Sequence, residues 1–269
     1  MNKKLFALIG GLLVGVLGLS VPAYSDTNRT IGSREYAVYI PDGTGPFSLI
    51  IGLHGGFGTI QEFNASTYIS TAGVKRGYVV AIPQGMGKSW NVGDCCGPAS
   101  QLGVDDIGFL LSIINDVSNI TAIDKSKVFL MGHSNGGGLA YRFATEHPEL
   151  IAGVGVQSTS LGIYVPTKPA NIFHIHGTAD TNVSYYGGIG PNSGQKNIPV
   201  AETIGRWVST LTNPTMTHKL KLNNITEDTY VGSDGHAVKL WTIEGADHAW
   251  MDLSTSSILE LFTFLRDAQ

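Results

Sequence analysis

The sequence has 269 residues, of which 42% are hydrophobic and 14% are charged, with 17 Lys and Arg against 21 Asp and Glu. This composition excludes an intrinsically disordered chain, which has few apolar residues and many charges. A net charge of −4 and a pI near 6.0 give no general electrostatic reason to bind nucleic acid or an anionic membrane. We therefore expect a globular protein large enough for a full hydrophobic core.

The first residues have the pattern of a secretory signal peptide. Two lysines precede an apolar run over Leu5–Val21, and Ala23 and Ser25 supply small residues at the positions that a signal peptidase reads. An uncleaved membrane anchor is the alternative, because a membrane span needs at least about 17 apolar residues. The Ala-x-Ser pattern favours cleavage after Ser25. We expect a secreted protein, extracellular or periplasmic, with residues 26–269 as one catalytic domain and no stable membrane anchor after cleavage.

The rest of the sequence alternates between strand-like and helix-like segments. Short apolar or alternating runs predict strands, and apolar residues at helical spacing predict helices. Gly232–Gly235 has the composition of a hairpin turn, and we expect Ser254 to cap the last helix. In chain order the main predictions are a strand over Arg34–Ile40, strands over Ser48–Leu53 and Tyr78–Ile82, a helix over Val104–Val117, a strand over Val128–Met131, a helix over Leu139–Thr145, strands over Ile151–Val156 and Ile172–His176, a helix over Val200–Leu211, a strand over Ala237–Ile243, and a helix that ends near Leu265.

Short apolar strands that alternate with helices indicate an α/β fold, with a mostly parallel central sheet and helices on both faces. In such sheets, functional residues gather at the carboxyl ends of the strands. Three polar, Gly-rich clusters follow predicted strands, namely His54–Gly56, Gly132–Gly136 and His176–Asp180. We therefore expect these clusters to lie together at one edge of the sheet.

The cluster at Gly132–Gly136 has the G-x-S-x-G pattern of a nucleophile elbow, in which a serine occupies a sharp turn between a strand and a helix. The glycines have a steric reason, because a Cβ at either position would collide with the neighbouring strand or helix. A serine that only caps a helix is the alternative. The predicted strand before the motif and the predicted helix after it favour Ser134 as a nucleophile.

A serine hydroxyl is a weak nucleophile, so it needs a base that is oriented by an acid. In the folds that use this elbow, the acid and then the histidine follow the serine along the chain. Asp180 follows the Ile172–His176 strand, and His248 follows the last predicted strand. Asp247 is the rival acid, but as the direct neighbour of His248 it is badly placed to reach the far ring nitrogen. We predict a catalytic triad of Ser134, His248 and Asp180.

The negative charge that develops on an attacked carbonyl oxygen needs hydrogen-bond donors, which form an oxyanion hole. We expect these donors to be the backbone N–H groups of Asn135, directly after the nucleophile, and of Gly56. Phe57 is the alternative to Gly56. Trp90 and Trp250 are candidates for a substrate-binding wall that stacks on a planar acyl group, and ordinary burial is the alternative for both.

Cys95 and Cys96 are adjacent, and the chain has no other cysteine. They can form a vicinal disulfide or remain two free thiols. Zinc is improbable because a structural zinc site needs about four ligands at characteristic spacing. Asp105 and Asp106 suit the first turn of the helix predicted near them, where acidic side chains complement the helix dipole.

Six short motifs, taken together, are typical of one known family: Trp90–Asn91, Cys95–Gly97, Gly103–Phe109, Gly132–Gly137, His176–Asp180 and His248–Trp250. Through them the chain resembles, from about Arg34 to its last residue, the secreted polyhydroxybutyrate depolymerase/feruloyl esterase family of α/β-hydrolases. The resemblance implies an α/β-hydrolase fold and a serine carboxylesterase with no metal or organic cofactor. It also implies the same triad. Thr181 and Met251 replace prolines that this family often has near the site, so the substrate preference stays open.

The function expected from these observations is the hydrolysis of a small-molecule or polymeric ester through an acyl-enzyme. A serine peptidase or amidase on the same fold is an alternative, because acyl transfer from an amide uses the same groups. A non-enzymatic surface binding protein is a second alternative, because a fold does not determine a function.

Overall fold

The computed structural model describes residues 24–191 and 194–268. Its strands are β1 (Tyr24–Ile31), β2 (Arg34–Pro41), β3 (Phe47–Leu53), β4 (Tyr78–Pro83), β5 (Ile123–His133), β6 (Gly153–Gln157), β7 (Ile172–Gly177), β8 (Gly188–Ile189), β9 (Lys196–Asn197), β10 (Thr215–Leu222), β11 (Ile225–Val231) and β12 (Ala237–Ile243). Its α-helices are α1 (Ile60–Thr67), α2 (Ile69–Val74), α3 (Gly97–Gln101), α4 (Asp106–Ile120), α5 (Asn135–Glu146), α6 (Val200–Val208) and α7 (Asp252–Asp267).

Ten of these strands form one sheet in the order β1-β2-β4-β3-β5-β6-β7-β12-β11-β10. The six central strands, from β4 to β12 in this order, are all parallel to one another. Two antiparallel strands extend the sheet at each edge. The predicted fold class, a mostly parallel sheet in an α/β-hydrolase fold, is confirmed.

Both faces of the central strands are buried. Along β3, Leu49 and Ile51 belong to one hydrophobic core, whereas Ile50 between them belongs to the other. Successive side chains of a strand point to opposite faces, so a strand covered on both sides is apolar at every position. Helices α4, α5 and α6 contribute to the first core, and α1, α2 and α7 contribute to the second.

The strand order determines which edge of the sheet carries the predicted site. The chain passes from β3 to β4 on one side of β3, and β5 pairs with β3 on the other side, with Leu53 opposite Gly132. A crevice opens at the carboxyl ends of strands where the order reverses in this way. The chain segments that follow β3 and β5 therefore lie next to each other at that crevice.

Several boundaries differ from the sequence prediction. Strand β5 begins five residues before the predicted Val128, and β1, β8, β9 and helices α1 to α3 were not predicted. Ser254 does not cap the last helix, because α7 begins at Asp252 and the buried Ser254 hydroxyl donates to Gln157 Oε1 at 2.6 Å. The hairpin turn at Gly232–Gly235 is confirmed, since it joins β11 to β12.

The predicted signal peptide falls almost entirely on residues that the structure does not describe. Its last two residues, Tyr24 and Ser25, pair with Pro41 and Ile40 at the start of β1. Across residues 24–191 and 194–268, every helix is too short or too polar to cross a lipid bilayer. Cleavage after Ser25 stays a prediction.

Candidate active site

Ser134 lies at the turn between β5 and α5, with φ 51° and ψ −121°. This backbone conformation is rare for a residue with a side chain, and such strain is found at functional sites. A Cβ on Gly132 would lie 2.5 Å from the carbonyl oxygen of Gly136, and a Cβ on Gly136 would lie 2.3 Å from that of Leu53. Both glycines are therefore required by close backbone contacts around the elbow, as predicted from the G-x-S-x-G pattern.

The structure brings the three predicted triad residues together. His248 Nε2 lies 2.9 Å from Ser134 Oγ, and His248 Nδ1 lies 2.8 Å from Asp180 Oδ2. The three residues come from three separate segments, after β5, β7 and β12, whose strands end at the same edge of the sheet. This is the geometry in which a histidine can take a proton from the serine while the carboxylate orients the ring.

Asp180 is buried, and both of its carboxylate oxygens accept hydrogen bonds. Oδ1 accepts from the backbone N–H groups of Asn182 and Val183, both at 2.9 Å, and Oδ2 accepts from His248. Nε2 of His176 also lies 3.3 Å from Oδ2. Burial by itself would raise the pKa of Asp180, but the hydrogen bonds from His176 and His248 outweigh it and hold the pKa well below its usual range. The carboxylate of Asp180 is therefore ionised and can stabilise a positive charge on the His248 ring.

Asp247, the rival acid, has a different partner. Its Oδ1 accepts a hydrogen bond from the backbone N–H of Ala249 at 2.9 Å, and its side chain is exposed. This is the local turn that an Asp makes two residues before its donor. Asp247 therefore stabilises the turn that carries His248, and the His248 imidazole donates to Asp180 instead.

The loop that carries His248 is held in place by two side chains, His133 and Gln157, that were not among the predicted site residues. His133 Nε2–H donates to the carbonyl oxygen of His248 at 2.8 Å. Gln157, at the end of β6, donates to the carbonyl oxygen of Ala249 and accepts from the backbone N–H of Met251. Burial, together with the nearby His248, lowers the pKa of His133 to about 4, so this ring is neutral at pH 7. A polar residue at the end of a buried strand was the available signal for both.

Gly56 and Asn135 both line the cavity next to Ser134. Asn135 is the first residue of α5, so its N–H has no acceptor within the helix. The N–H of Phe57 donates to the carbonyl oxygen of Lys88 at 2.7 Å. That bond removes Phe57 as a donor and favours Gly56. The oxyanion-hole role of Gly56 and Asn135 stays a prediction, now with a geometric argument.

Trp90 corrects the sequence expectation of a substrate-contacting wall. Its side chain is 0% exposed, and its indole N–H donates to the carbonyl oxygen of His54 at 2.8 Å. Its backbone is clamped by the Asn135 side chain, which accepts from the Trp90 N–H and donates to the Trp90 carbonyl oxygen. A tryptophan buried in this way cannot stack on an acyl group. It supports the two segments that carry the predicted oxyanion donors.

Trp250 lies outside the cavity as well. Its indole N–H donates to Thr255 Oγ1 at 3.1 Å, and its ring packs edge-on against Phe63 and His133. The expected stacking on substrate therefore does not fit this position. Trp250 packs behind the nucleophile elbow, with the second hydrophobic core.

A cavity of about 410 Å³ opens at Ser134 and His248. One of its walls contains Cys95 and Cys96, which form a vicinal disulfide, one of the two alternatives that the sequence left open. Across the described residues, no cluster of His, Cys, Asp and Glu side chains has the arrangement of a metal site. The other residues that line the cavity are Gly56, Phe57, Val92, Asp94, Gly97, Gln101, Asn135, Gly138, Thr159, Ser160, Leu161, Gly162, Tyr164, Asn182, Val183, Gln195 and Asn197.

The chain is similar to known esterases. The profile of the family described as "Esterase PHB depolymerase" matches residues 34–167, about half of the chain, and the match includes Ser134 but ends before Asp180 and His248. Feruloyl esterase B of Piromyces equi is 29% identical over 170 residues, which cover 58% of this chain and 31% of that protein. A probable feruloyl esterase C of Aspergillus oryzae is 24% identical over 220 residues, which cover 76% of this chain and 67% of that protein.

The structural comparison extends further along the chain. Acetyl xylan esterase from Aspergillus awamori superimposes with a TM-score of 0.66 and covers 89% of this chain and 99% of its own, at 17% sequence identity. At that identity the likeness demonstrates the fold alone. Several curated relatives are longer than the matched region, which spans 31% of the Piromyces equi protein. On the family profile and these relatives together, the chain belongs to the polyhydroxybutyrate depolymerase/feruloyl esterase family of α/β-hydrolases.

Proposed function

We propose that this protein is a secreted serine carboxylesterase that hydrolyses its substrate through an acyl-enzyme. The observation that carries the proposal is the continuous hydrogen-bonded path from Ser134 Oγ through His248 to Asp180, at 2.9 Å and 2.8 Å. Membership of an esterase family supports the class of reaction. Secretion rests on the sequence pattern before Ser25.

The reaction begins when Ser134 Oγ attacks the ester carbonyl carbon while His248 Nε2 takes the hydroxyl proton. Asp180 stabilises the imidazolium that forms, and the N–H groups of Gly56 and Asn135 donate to the oxyanion. The tetrahedral intermediate collapses when His248 returns the proton to the leaving alkoxide, which departs as the alcohol. A water molecule, deprotonated by His248, then attacks the acyl-enzyme and releases the carboxylic acid together with the free serine.

The cavity supports an ester of a small or medium-sized acid. Its volume of about 410 Å³ is in the range of small-molecule sites. Apolar contact surface comes from Val92, Leu161, Val183 and the Cys95–Cys96 disulfide. Two relatives are named as esterases of feruloyl and acetylxylan groups, so feruloyl, acetyl and short 3-hydroxyalkanoate esters are the substrates to compare.

The first test replaces the nucleophile. Ser134→Ala is expected to lower kcat for p-nitrophenyl esters by roughly 10⁶-fold, because no other group can form the acyl-enzyme. It is also expected to abolish labelling by a fluorophosphonate probe. Ser256→Ala, on α7, is the matched control and is expected to keep both activity and labelling. Substantial turnover by Ser134→Ala would remove Ser134 from this role.

A second comparison separates the esterase from its alternatives. Ester and amide substrates that share one acyl group are assayed side by side with the wild-type protein. Strong preference for the ester supports the proposal, and comparable turnover of the amide would favour a peptidase or amidase. A protein that turns over neither substrate and resists the fluorophosphonate probe would be a binding protein that kept the fold.

A further inference from the structure

A chain of three buried hydrogen bonds leads to the acid of the triad from the far side. The Tyr141 hydroxyl lies 2.6 Å from His174 Nδ1, and His174 Nε2 lies 2.9 Å from His176 Nδ1. His176 Nε2 lies 2.7 Å from the carbonyl oxygen of Val183 and 3.3 Å from Asp180 Oδ2. The side chains of Tyr141, His174 and His176 are all 0% exposed.

The direction of the chain is fixed at the end near Asp180. The carbonyl oxygen of Val183 can only accept, so His176 Nε2 carries a proton. In a neutral imidazole the other nitrogen is then an acceptor, and His174 Nε2 must donate to it. The same reasoning makes His174 Nδ1 an acceptor for the Tyr141 hydroxyl. Burial lowers the pKa of His174 far below its usual range, which agrees with a neutral ring.

The direction is fixed independently at the other end. Among the described residues, the Tyr141 hydroxyl has no hydrogen-bond partner except His174. If the chain ran in the opposite sense, His174 Nδ1 would donate and the Tyr141 O–H would be left in the core without an acceptor. A buried polar group without a partner is costly and rare. Both ends therefore require the same polarity.

The chain connects the element that carries the nucleophile with the loop that carries the acid. Tyr141 is on α5, whose N-terminus follows Ser134, whereas His174 and His176 are on β7, directly before the Asp180 loop. The two histidines lie two residues apart, so both project from the same face of the strand, and their rings stack at 5.2 Å. Val183 is held twice, since its N–H donates to Asp180 Oδ1 and its carbonyl oxygen accepts from His176.

We propose that Tyr141, His174 and His176 are positioning residues for the proposed esterase reaction, through a one-directional chain that keeps the Nε2–H of His176 facing Asp180. This inference rests on the proposed function, because Asp180 is its target. The chain acts on Asp180 in two ways. It holds the Nε2–H of His176 3.3 Å from the oxygen that accepts from His248, and it ties the Asp180–Val183 turn to β7.

The central experiment determines which ring nitrogens of His174 and His176 carry a proton. Protein enriched with ¹⁵N-histidine is examined by long-range ¹H–¹⁵N correlation NMR, and His174→Gln and His176→Gln assign the signals. We expect both rings in the wild-type protein to be neutral with the proton on Nε2. A proton on Nδ1 of either ring, or a doubly protonated His176 at pH 7, would overturn the proposal without any activity measurement.

The second part removes the first donor. Tyr141→Phe keeps the ring and deletes the hydroxyl, so His174 Nδ1 loses its donor, whereas the Val183 carbonyl oxygen still keeps the proton on Nε2 of both rings. We expect the ¹⁵N shift of His174 Nδ1 to move, both rings to stay protonated on Nε2, and kcat to fall about tenfold or more, up to ~10²-fold, with KM within about twofold. Tyr185→Phe is the matched control, because the Tyr185 hydroxyl contacts Thr242 and its ring packs edge-on against His176. It is expected to keep the tautomers and kcat.

A third pair of variants distinguishes positioning from packing. His176→Gln retains an N–H donor near the position of Nε2, whereas His176→Leu retains volume without a donor. We expect the glutamine variant to be the more active of the two. Equal activity of the two variants, or a folded Tyr141→Phe with the wild-type His174 Nδ1 shift and the wild-type kcat, would contradict the proposal. If the wild-type protein lacks esterase activity, the proposed function fails, and the NMR result still decides whether the chain exists.

Discussion

At the scale of single residues, the site depends on side chains whose hydrogen-bonding partners are fixed before any substrate arrives. Asp180 illustrates this, because its oxygen atoms accept from two backbone N–H groups and from His248, and the Nε2 atom of His176 lies 3.3 Å from Oδ2. Such preorganisation avoids reorganisation during the reaction. The choice between Asp180 and Asp247 as the acid therefore has a direct test.

Asp180→Asn is expected to lower kcat by about 10⁴-fold. An asparagine in this position presents an N–H donor or a weaker acceptor to His248 Nδ1, and the imidazole then loses its correct tautomer; the magnitude is that known for the same change in a serine protease triad. Asp247→Asn is the control, with an expected change of less than about threefold, because within the described part of the chain its carboxylate accepts only from the backbone of its own loop. A larger loss in Asp247→Asn than in Asp180→Asn would reverse the assignment. Steady-state kinetics with one p-nitrophenyl ester suffices.

Trp90→Phe tests whether this tryptophan supports the site or contacts substrate. The variant leaves the buried carbonyl oxygen of His54 without its donor, at a cost of about 1–3 kcal/mol in the free energy of unfolding. We expect a lower urea midpoint and an unchanged ranking of kcat/KM among acetyl, feruloyl and hydroxyalkanoate esters. A changed ranking with unchanged stability would restore the substrate-wall interpretation.

At the scale of elements, the start of α4 demonstrates that neighbouring residues of one type can have different tasks. Asp105 is the N-cap, and its Oδ1 accepts from the N–H of Gly108 at 2.8 Å, as the sequence predicted for a helix N-terminus. Asp106 is completely buried and forms an ion pair with Arg34 at 2.6 Å, while it also accepts from the N–H of Asn91. Asp106 thus ties α4 to β2 and to the loop before Cys95.

The two aspartates therefore predict unequal losses of stability. Asp105→Ala is expected to lower the free energy of unfolding by ~1 kcal/mol, the usual value of an N-cap. Asp106→Ala is expected to lower it by about 3–5 kcal/mol, because it leaves the Arg34 charge, whose side chain is only 12% exposed, without its carboxylate partner. Urea unfolding with unchanged slopes measures both values. Equal losses would mean that Asp106 also acts only at the helix terminus.

At the scale of the whole molecule, buried titratable groups couple stability to pH. Burial lowers the pKa of His54 and His174, and it lowers the pKa of His133 from 6.5 to about 4. Hydrogen bonds from Lys219 and Trp241 overcome the opposing effect of burial and hold the pKa of Glu227 at about 2. All four groups bind protons less readily in the folded than in the unfolded protein.

Stability is therefore expected to fall as the pH falls. Between pH 6.5 and 4 the unfolded chain binds protons at its histidines that the folded protein does not, so the free energy of unfolding decreases with acidification. Below about pH 4.5, Glu227 adds a further loss, because its carboxylate must be protonated against a lowered pKa. Urea midpoints at pH 7.5, 6, 5 and 4 test this. A constant midpoint from pH 6.5 to 4.5 would contradict it.

Much of the fold could be predicted from local pattern. The central strands are apolar at every position because both faces are covered, so β3, β4 and β7 were visible in the sequence. Strand β1 escaped prediction because it lies at the edge of the sheet and its residues from Asp26 to Ile31 are exposed or half-buried, so no burial pattern marks it. Strand pairing there comes from β2, and the sequence of β1 carries little trace of the contact.

The sequence by itself determined the class of fold, the elbow at Ser134 and the chain order of nucleophile, acid and histidine, because each depends on local sterics or on the spacing of apolar residues. Only the tertiary structure decided that Trp90 and Trp250 pack away from the cavity. The same holds for the backbone N–H of Phe57, which donates to the carbonyl oxygen of Lys88, and for the hydrogen bonds that lead from Tyr141 through two histidines toward Asp180. These contacts join segments that are far apart in the chain. The partner of a buried polar group is selected by how the strands and helices meet, and that information is not local to any residue.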